Sequence, residues 1–276
     1  MNASSAEPAS HDELLLVERL VEHRLCGEVA TPVGSCVGNC RRLVAGEAEY
    51  TFGLSDWRGA TFDDAVAAVE AAGGGRLRGY PDESPAFIDP TGTVAGVRKH
   101  RGVLAALVAG GGGRVLMATG HPVLLAHYGS LAQALVRGGC LLLRPLHEDR
   151  RSMRTPEGDP CSIAYVEAVA ALFHDGSLRH THLPDYMEAM LDDLAGGPPD
   201  LVVADHGFAG AAIEAGIATL SIADVNDPAL PLAQARGRTD GVLLIDDGLQ
   251  PDLFAPVTQA ILDWPDPTAS RHSVLP

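Results

Sequence analysis

Short aliphatic runs in the second half of the chain constrain the fold more than any other sequence feature. Six such runs lie between residues 114 and 245, and most are separated by stretches with helical spacing of apolar residues. The runs are Arg114–Thr119, Cys140–Arg144, Leu178–His182, Asp200–Ala204, Thr219–Ala223 and Gly241–Ile245. Strands that alternate with helices are typical of a parallel sheet covered by helices on both faces. The sequence therefore predicts an α/β protein with a doubly wound, mostly parallel, Rossmann-like sheet.

The first part of the chain lacks this alternation. Apolar spacing and capping residues predict helices at about 12–26, 62–72 and 97–108, and the segment 81–92 is expected to be a loop. We therefore place a smaller, mainly helical and irregular region at residues 1–110, followed by a Rossmann-like catalytic domain at residues 111–276.

Polar residues follow most of the predicted strands. They are Thr119, Gly120 and His121; Arg144; His180 and His182; Asp205 and His206; Asn226 and Asp227; and Asp246 and Asp247. Ligands of a doubly wound sheet bind beyond the carboxyl ends of its strands, because helices cover both faces and leave that edge open. Metal-assisted hydrolases assemble their metal ligands from carboxylates and imidazoles that converge from separate strands.

Each of these segments also has a purely structural interpretation. The Gly120 turn is either an anion site at a helix N-terminus or a simple strand-to-helix connection. His180 and His182 are two residues apart, so a strand would place both imidazoles on one face, as ligands or as hydrogen-bonded structural residues.

The acidic residues carry the same ambiguity. Asp205 and Asp227 are well placed to cap the helices that follow them, although capping does not explain the adjacent Asn226. Asp246 and Asp247 are equally compatible with a solvated turn and with a functional site.

Composition narrows the range of partners. Asp and Glu number 36 against 20 Lys and Arg, which gives a net charge of −16 at pH 7. Such a surface repels phosphate backbones and anionic lipid, so neither nucleic acid nor a membrane is an expected partner. A small phosphorylated metabolite can still bind where backbone N–H groups, an arginine or a metal override the overall field. Lys99 is the only lysine, which excludes most Schiff-base and P-loop chemistry.

The remaining sequence features concern location. No apolar run approaches the roughly 20 residues that span a bilayer, and the first residues lack the basic and apolar regions of a signal peptide. Five scattered cysteines indicate reduced thiols, and Cys36 and Cys40 match neither a structural zinc spacing nor a redox motif. The sequence therefore predicts a cytoplasmic protein, and it is compatible with a homo-oligomer.

Several segments resemble an actinobacterial family of proteins named as phosphatases. The similar segments are RVLMATGHP, RHTHLPDYMEAML, PDLVVADHGFAGAAIEAGI, ADVNDPALPLA and IDDGLQPDLFAPVTQAIL, and the stretch Val29–Leu54 is similar too. Family members read GHP, HTH, ADHG and NDP in this order. The resemblance implies that the site contains Gly120, His121, His180, His182, Asp205, His206, Asn226 and Asp227. Residues 34–39 depart from the family pattern, which tends to have polar residues there.

These observations lead to a hypothesis of a metal-dependent phosphatase that hydrolyses a sugar phosphate, a nucleoside monophosphate or a similar small metabolite. We assign His180, His182 and His206 to catalysis, Thr119, Gly120, His121 and Arg144 to substrate binding, and Asp205, Asn226 and Asp227 to a divalent metal, Mg²⁺ or Mn²⁺. Two alternatives are a non-catalytic protein that binds a phosphorylated metabolite, and a metal-independent lyase or isomerase that uses His and Asp as acid and base.

Overall fold

A computed structural model describes residues 11–147 and 153–264. Its first part contains five helices and a small antiparallel sheet. The elements are α1 (His11–Glu22), β1 (Gly27–Pro32), α2 (Val33–Ala45), α3 (Ala48–Thr51), α4 (Phe62–Ala71), β2 (Pro85–Ile88) and α5 (Pro90–Ala109). Thr61 caps α4 in a capping box with Asp64, as its position before an acidic first turn predicts.

Strand β2 corrects the expectation of a loop at residues 81–92. It pairs with β1, with Gly27 opposite Ile88, and buries Ala86 and Ile88 while Pro85 and Phe87 face outward. The alternation is only four residues long and begins at a proline, so the local pattern resembles a turn-rich loop.

The second part of the chain forms one nine-stranded mixed sheet with helices around it. The elements are β3 (Arg114–Thr119), α6 (Leu125–Arg137), β4 (Leu141–Leu143), β5 (Met153–Arg154), β6 (Pro160–Val166), β7 (Val169–His174), β8 (Ser177–Arg179), α7 (Asp185–Asp192), β9 (Leu201–Asp205), α8 (His206–Glu214), β10 (Thr219–Ala223), α9 (Ala229–Ala235), β11 (Val242–Leu244) and α10 (Ala255–Leu262). The strand order is β11-β10-β9-β3-β7-β6-β5, with β4 also on β3 and β8 also on β7. The prediction of an α/β protein is confirmed.

Strands β11, β10, β9 and β3 are parallel neighbours, and they form the part of the sheet that the sequence predicts best. Every residue of β9 and β10 is buried, which explains why both read as continuous aliphatic runs. Helix α5 packs on β11 and on α10, so it lies against this sheet. The division of the chain at residue 110 stays a prediction.

Strands β5 to β8 form an antiparallel extension, of which the sequence predicts only part of β8. No strand is predicted between residues 144 and 178, yet β6 and β7 form a hairpin in which Val166 lies opposite Val169. The turn residue Glu167 adopts a positive φ of 56°, without the Asn-Gly or Asp-Gly signal that marks such turns. Alanine-rich β7 also suits a helix by propensity, and only its pairing with β3 and β6 selects the strand.

The extension delivers two histidines to the edge of the parallel strands. Strand β7 begins beside the end of β3, where Ala170 lies opposite Ala118, and then runs past it. Strand β8 returns antiparallel to β7 and ends at Arg179, so the predicted strand Leu178–His182 is wrong in its second half. The Thr181 N–H then donates to the Gly120 carbonyl at 2.8 Å, which fixes this segment to the β3 turn.

Two further findings bear on the sequence predictions. All five cysteines are free and buried. Among residues 11–147 and 153–264, no helix combines the length and apolar character needed to cross a bilayer.

Two glycines of α8 allow backbone from other parts of the chain to approach this helix closely. A Cβ at Gly210 would lie 1.9 Å from the Phe52 carbonyl oxygen, and a Cβ at Gly207 would lie 2.3 Å from the His182 carbonyl oxygen. Both contacts are with backbone atoms, which cannot move aside as a flexible side chain would.

We therefore expect Gly210→Ala to lower the free energy of unfolding by about 1–3 kcal/mol, because the added methyl group overlaps backbone. Gly102→Ala is the matched control: Gly102 lies within α5 with no atom within 4 Å of the added Cβ. That substitution should stabilise the protein by up to about 1 kcal/mol through helix propensity. Urea denaturation measures both changes, and equal effects would contradict the close approach.

Candidate active site

Four histidine rings meet at the carboxyl edge of the parallel strands. The histidine cluster comprises His121 after β3, His180 and His182 after β8, and His206 at the start of α8. His121 stacks on His180 with ring centroids 4.3 Å apart, and His182 stacks on His206 at 4.8 Å. The sequence-based expectation that these residues converge agrees with this geometry.

The carboxylate of Asp205 organises this edge from beneath. The residue is fully buried, and its Oδ1 accepts hydrogen bonds from the Gly120 N–H (2.7 Å), the His121 N–H (3.1 Å) and His206 Nδ1 (2.8 Å). Its Oδ2 accepts the Thr119 hydroxyl proton at 2.6 Å. Four donors on one buried carboxylate offset the cost of removing its charge from water.

His206 presents a defined nitrogen to the site. Because a carboxylate can only accept, His206 Nδ1–H donates to Asp205 and the Nε2 atom faces Asp227 and Asp247, at 3.5 and 3.7 Å. Burial by itself lowers the pKa of His206, but Asp227, Asp205 and Asp247 outweigh it and raise this pKa to about 10. The residue has a positive φ of 47°, a conformation that is uncommon outside glycine and that concentrates at functional sites.

The first part of the chain orients His182. Its Nδ1 donates to the Glu49 carbonyl at 3.1 Å, and the Phe52 ring packs edge-on against it at 5.1 Å. Its Nε2 lies 3.0 Å from His180 Nε2. Burial first, and then the neighbouring imidazoles, lower the pKa of His182 to about 4 and that of His180 to about 3. Both rings are therefore neutral near pH 7.

Carboxylates gather on the other side of His206. The acidic group comprises Asp224 and Asp227 after β10, and Asp246 and Asp247 after β11, and each is at most 5% exposed. Within the described residues, no lysine or arginine forms an ion pair with any of the four or with Asp205; their ion-pair partners are His121 and His206. Burial, with mutual repulsion, raises the pKa of Asp224 well above its usual value and that of Asp227 to about 6.

Two buried oxygens of this group lack a hydrogen-bond partner among the described residues. They are Asp224 Oδ1 and Asp247 Oδ2, and the latter faces His121 Nδ1, itself unpartnered, at 3.5 Å. Burial tends to raise the pKa of Asp247, but His121 and His206 outweigh it and hold this pKa below the usual range. Unsatisfied buried oxygens are costly in a native protein, so they point to a missing partner such as a cation.

The residues predicted for substrate binding have other partners. The N–H groups of Gly120 and His121, on which a phosphate cradle would depend, already donate to Asp205. Thr119 is buried and its hydroxyl also bonds to Asp205. Arg144 lies over the Tyr165 ring and contacts His147, outside the histidine cluster. Only the His121 side chain reaches the cluster.

The residues predicted as metal ligands divide in the same way. Asp227 faces His206, whereas both oxygens of Asp205 are already hydrogen-bonded. The Asn226 carboxamide lies 3.3 Å from both Asp224 Oδ2 and Asp227 Oδ1. With its nitrogen turned toward them it donates to both carboxylates, and with its oxygen turned toward them it presents a further acceptor to a cation. The role of Asn226 as a metal ligand stays a prediction.

Sequence reasoning missed the residues that come from the first part of the chain. The Thr31 hydroxyl donates to Asp224 Oδ2 at 2.8 Å, and Asn39 Nδ2 donates to the Asn226 carbonyl at 2.8 Å. The Glu49 carbonyl and the Phe52 ring hold His182. These residues lie far away in sequence, and no local motif marks them. The sequence does identify Asp247 as a candidate, but it does not distinguish a solvated turn from a functional site there.

An open cleft of about 660 Å³ adjoins the cluster on the side of the antiparallel extension. His180 and His182 line it together with Arg179, Glu157 and His174. Arg179 is a half-exposed cation directly before the histidine pair. The size suits a small molecule, and Arg179 supplies the positive charge that Arg144 does not bring to the site.

Comparison with known proteins defines the class. The Phosphatase family model matches residues 11–266, so the chain belongs to the Phosphatase family. It is 36% identical over 267 residues to phosphatase SCO2771 of Streptomyces coelicolor, an alignment that covers 92% of this chain and 97% of that protein. Because Streptomyces is an actinobacterial genus, the resemblance drawn from the sequence motifs is confirmed. Membership supports a hydrolase that acts on phosphate esters.

The Asp205 network leads to a prediction for Thr119. The isosteric substitution Thr119→Val removes the hydroxyl and leaves Asp205 Oδ2 without its donor, so the free energy of unfolding should fall by about 1–3 kcal/mol. Thr91→Val, at an exposed position of α5, should change stability by less than about 0.5 kcal/mol. Urea denaturation measures both. A large rise in KM with unchanged stability would instead return Thr119 to substrate binding.

Proposed function

We propose that this protein is a divalent-metal-dependent phosphatase. Its substrate is a small phosphorylated metabolite, such as a sugar phosphate or a nucleoside monophosphate, which it hydrolyses at the carboxyl edge of the parallel strands. One observation carries the proposal: five buried carboxylates lie beside four imidazoles, and no described lysine or arginine balances their charge. Buried charges in proteins are paired or bind metal. Family membership supplies the reaction class.

The residues present fit a divalent cation. The ligand atoms of His206, Asp227 and Asp247 lie within 4.8 Å of one another, and all three residues are buried. Asp205 accepts the His206 Nδ1 proton, the arrangement that orients metal-binding imidazoles, and a cation would take the place of the proton on Nε2. We therefore propose His206 and Asp247 as ligands with Asp227, in place of the predicted Asp205 and Asn226. Two carboxylates and one imidazole suit Mn²⁺ well and Mg²⁺ less well.

The chain's own groups bind and orient the substrate. A bound cation would neutralise charge on the phosphoryl oxygens and lower the pKa of a coordinated water. Neutral His180 and His182 border the cleft, where their ring nitrogens exchange hydrogen bonds or protons with a phosphate ester. His182 Nε2 is the better proton acceptor, because its Nδ1–H is held by the Glu49 carbonyl. Arg179 lies within reach of an anionic group in the same cleft.

The size and charge of the protein favour a small substrate. A cleft of about 660 Å³ accommodates a monosaccharide or nucleoside phosphate. The net charge of −16 disfavours polyanions such as nucleic acid and anionic membranes, which approach through the long-range field. A panel of phosphorylated metabolites, assayed for phosphate release with several metals, tests the proposal directly. Saturable binding without phosphate release would favour the non-catalytic alternative.

Chelation provides the first specific test. Removing divalent cations should abolish phosphate release, and Mn²⁺ or Mg²⁺ should restore it. Full activity after exhaustive chelation would favour His and Asp chemistry without metal.

Asp227→Asn should lower kcat/KM by about 100-fold or more, because it removes a ligand charge while preserving shape. Asp240→Asn is the matched control, since Asp240 precedes β11 at the opposite edge of the sheet and its side chain is 82% exposed. Its kcat/KM should equal that of the unaltered protein. Comparable activity of the two variants would make Asp227 a structural residue.

His182→Ala should lower kcat by about 10²–10⁴-fold, the usual contribution of a proton-transfer group. His147→Ala is the control, because His147 is exposed and contacts Arg144 and Tyr165 instead. His174 is unsuitable as a control because it ends β7 and lines the cleft. Steady-state kinetics of phosphate release measures kcat for both variants. Equal kcat values for His182→Ala and His147→Ala would mean that His182 is structural.

A further inference from the structure

We propose that the candidate active site, at the carboxyl edge of the parallel strands, binds two divalent cations and that Asp247 bridges them. The inner cation has His206, Asp227 and Asp247 as ligands. The outer cation, on the side of the cleft, has the imidazoles of His121 and His180 together with Asp247. The role of the second ion in hydrolysis rests on the proposed function, whereas the number of ions does not.

The donor atoms form two groups that a single cation cannot gather. The ligand atoms of His121, His180 and His206 lie within 4.8 Å of one another, and so do those of His206, Asp227 and Asp247. The two groups share only His206, so His180 and Asp227 do not belong to one compact set of ligands. One ion would therefore reach one group and leave the other incomplete.

The separations match two ligands that share an ion. Asp247 Oδ2 lies 3.5 Å from His121 Nδ1 and 3.7 Å from His206 Nε2, and His206 Nε2 lies 3.5 Å from Asp227 Oδ2. These distances exceed those of hydrogen bonds. Two ligands about 2.1 Å from one tetrahedral ion are about 3.4 Å apart. Asp247 Oδ2 therefore lies at ligand spacing from a member of each set.

The Oδ2 atom of Asp247 also lacks a hydrogen-bond partner within the described part of the chain. Asp247 is 5% exposed, and its Oδ2 atom has no hydrogen-bond partner among the described residues although two imidazoles face it. A carboxylate shared between two ions about 3.5–4 Å apart satisfies such an oxygen.

The nitrogen donors are divided between the two ions by their fixed orientations. Since Asp205 occupies His206 Nδ1, His206 can offer only Nε2, and this atom can serve only one ion. The histidine triad His121, His180 and His206 also has its ligand atoms within 4.8 Å of one another, so the outer ion would lie next to the inner one. His182 belongs to neither group, and its Nε2 lies 3.0 Å from His180 Nε2, beside the outer ion. His180 is then a ligand, and the proton-accepting role belongs to His182, whose Nδ1–H is held by the Glu49 carbonyl.

The charges agree with two ions. Asp227 and Asp247 are ligands in this arrangement, and Asp224 and Asp246 are buried nearby, so two divalent ions offset more of the buried negative charge than one ion does. The two positions also differ in chemistry. The inner one combines two carboxylates with one imidazole, and the outer one is rich in imidazole and suits a transition metal. His180 is exposed to the cleft, so the outer ion is the one that a phosphate ester would meet.

The number of bound ions tests the proposal. Metal-free protein titrated with Mn²⁺ in a calorimeter, with the bound metal counted by elemental analysis, should take up two ions per chain. His180→Ala and Asp227→Asn should each take up one, and the control His147→Ala should take up two. Since His180 is solvent-exposed, its substitution should leave the urea midpoint of the metal-free protein unchanged, which confirms that the variant folds.

Electron paramagnetic resonance tests the bridge. Two Mn²⁺ ions joined by Asp247 should give an exchange-coupled spectrum, and His180→Ala should give the six-line spectrum of an isolated ion. One ion in the unaltered chain, two uncoupled ions, or loss of both ions in His180→Ala would each overturn the proposal. Phosphate release measured on the same samples separates this result from the proposed function: activity with a single ion rejects only the second ion, and two coupled ions without activity reject only the phosphatase.

Discussion

The buried carboxylate of Asp205 joins three separate parts of the polypeptide. It accepts the N–H groups of the turn after β3 and the Nδ1 proton of His206, and through Gly120 that turn binds the segment after β8. A charge with this degree of burial is stable only while its donors stay in place, so it fixes the positions of those donors. The histidine cluster is built on this network. Asp205 thus acts by positioning other groups, although its place at a strand end resembles that of a metal ligand.

The carboxylates of the acidic group, unlike Asp205, are not saturated by hydrogen-bond donors among the described residues. Asp224, Asp227, Asp246 and Asp247 have fewer donors than their oxygens can accept, and repulsion among them opposes folding. Such an arrangement lowers stability unless a cation binds, and a ligand that binds only the folded state then stabilises it. The candidate site thus combines a group of carboxylates that is electrostatically unfavourable by itself with a neighbouring carboxylate that is fully hydrogen-bonded. In the proposed function, the network around Asp205 holds the unsatisfied oxygens in position for a cation.

Residues outside the parallel strands complete the site. The antiparallel extension carries His180 and His182 to the edge and forms one wall of the cleft. The first part of the chain supplies the Glu49 carbonyl and the Phe52 ring, and Gly210 allows Phe52 to approach α8 closely. The site therefore lies where three structural units meet, and changes in any of them will affect the histidine orientations.

The sequence by itself determined the parallel strands β3, β9, β10 and β11 and the polar residues that follow them. Continuous aliphatic runs record local burial, and the carboxyl ends of parallel strands share one edge whatever the details of the fold. Only the tertiary structure decided which polar groups face a ligand. Asp205 and Asp247 look alike in sequence, but donors from distant segments saturate Asp205 and leave Asp247 Oδ2 without one. The strand conformation of β7 was also a tertiary outcome, because its alanines permit a helix and only pairing with β3 and β6 selects the sheet. Hydrogen-bond satisfaction depends on contacts between segments far apart in the chain, and no local pattern records those contacts.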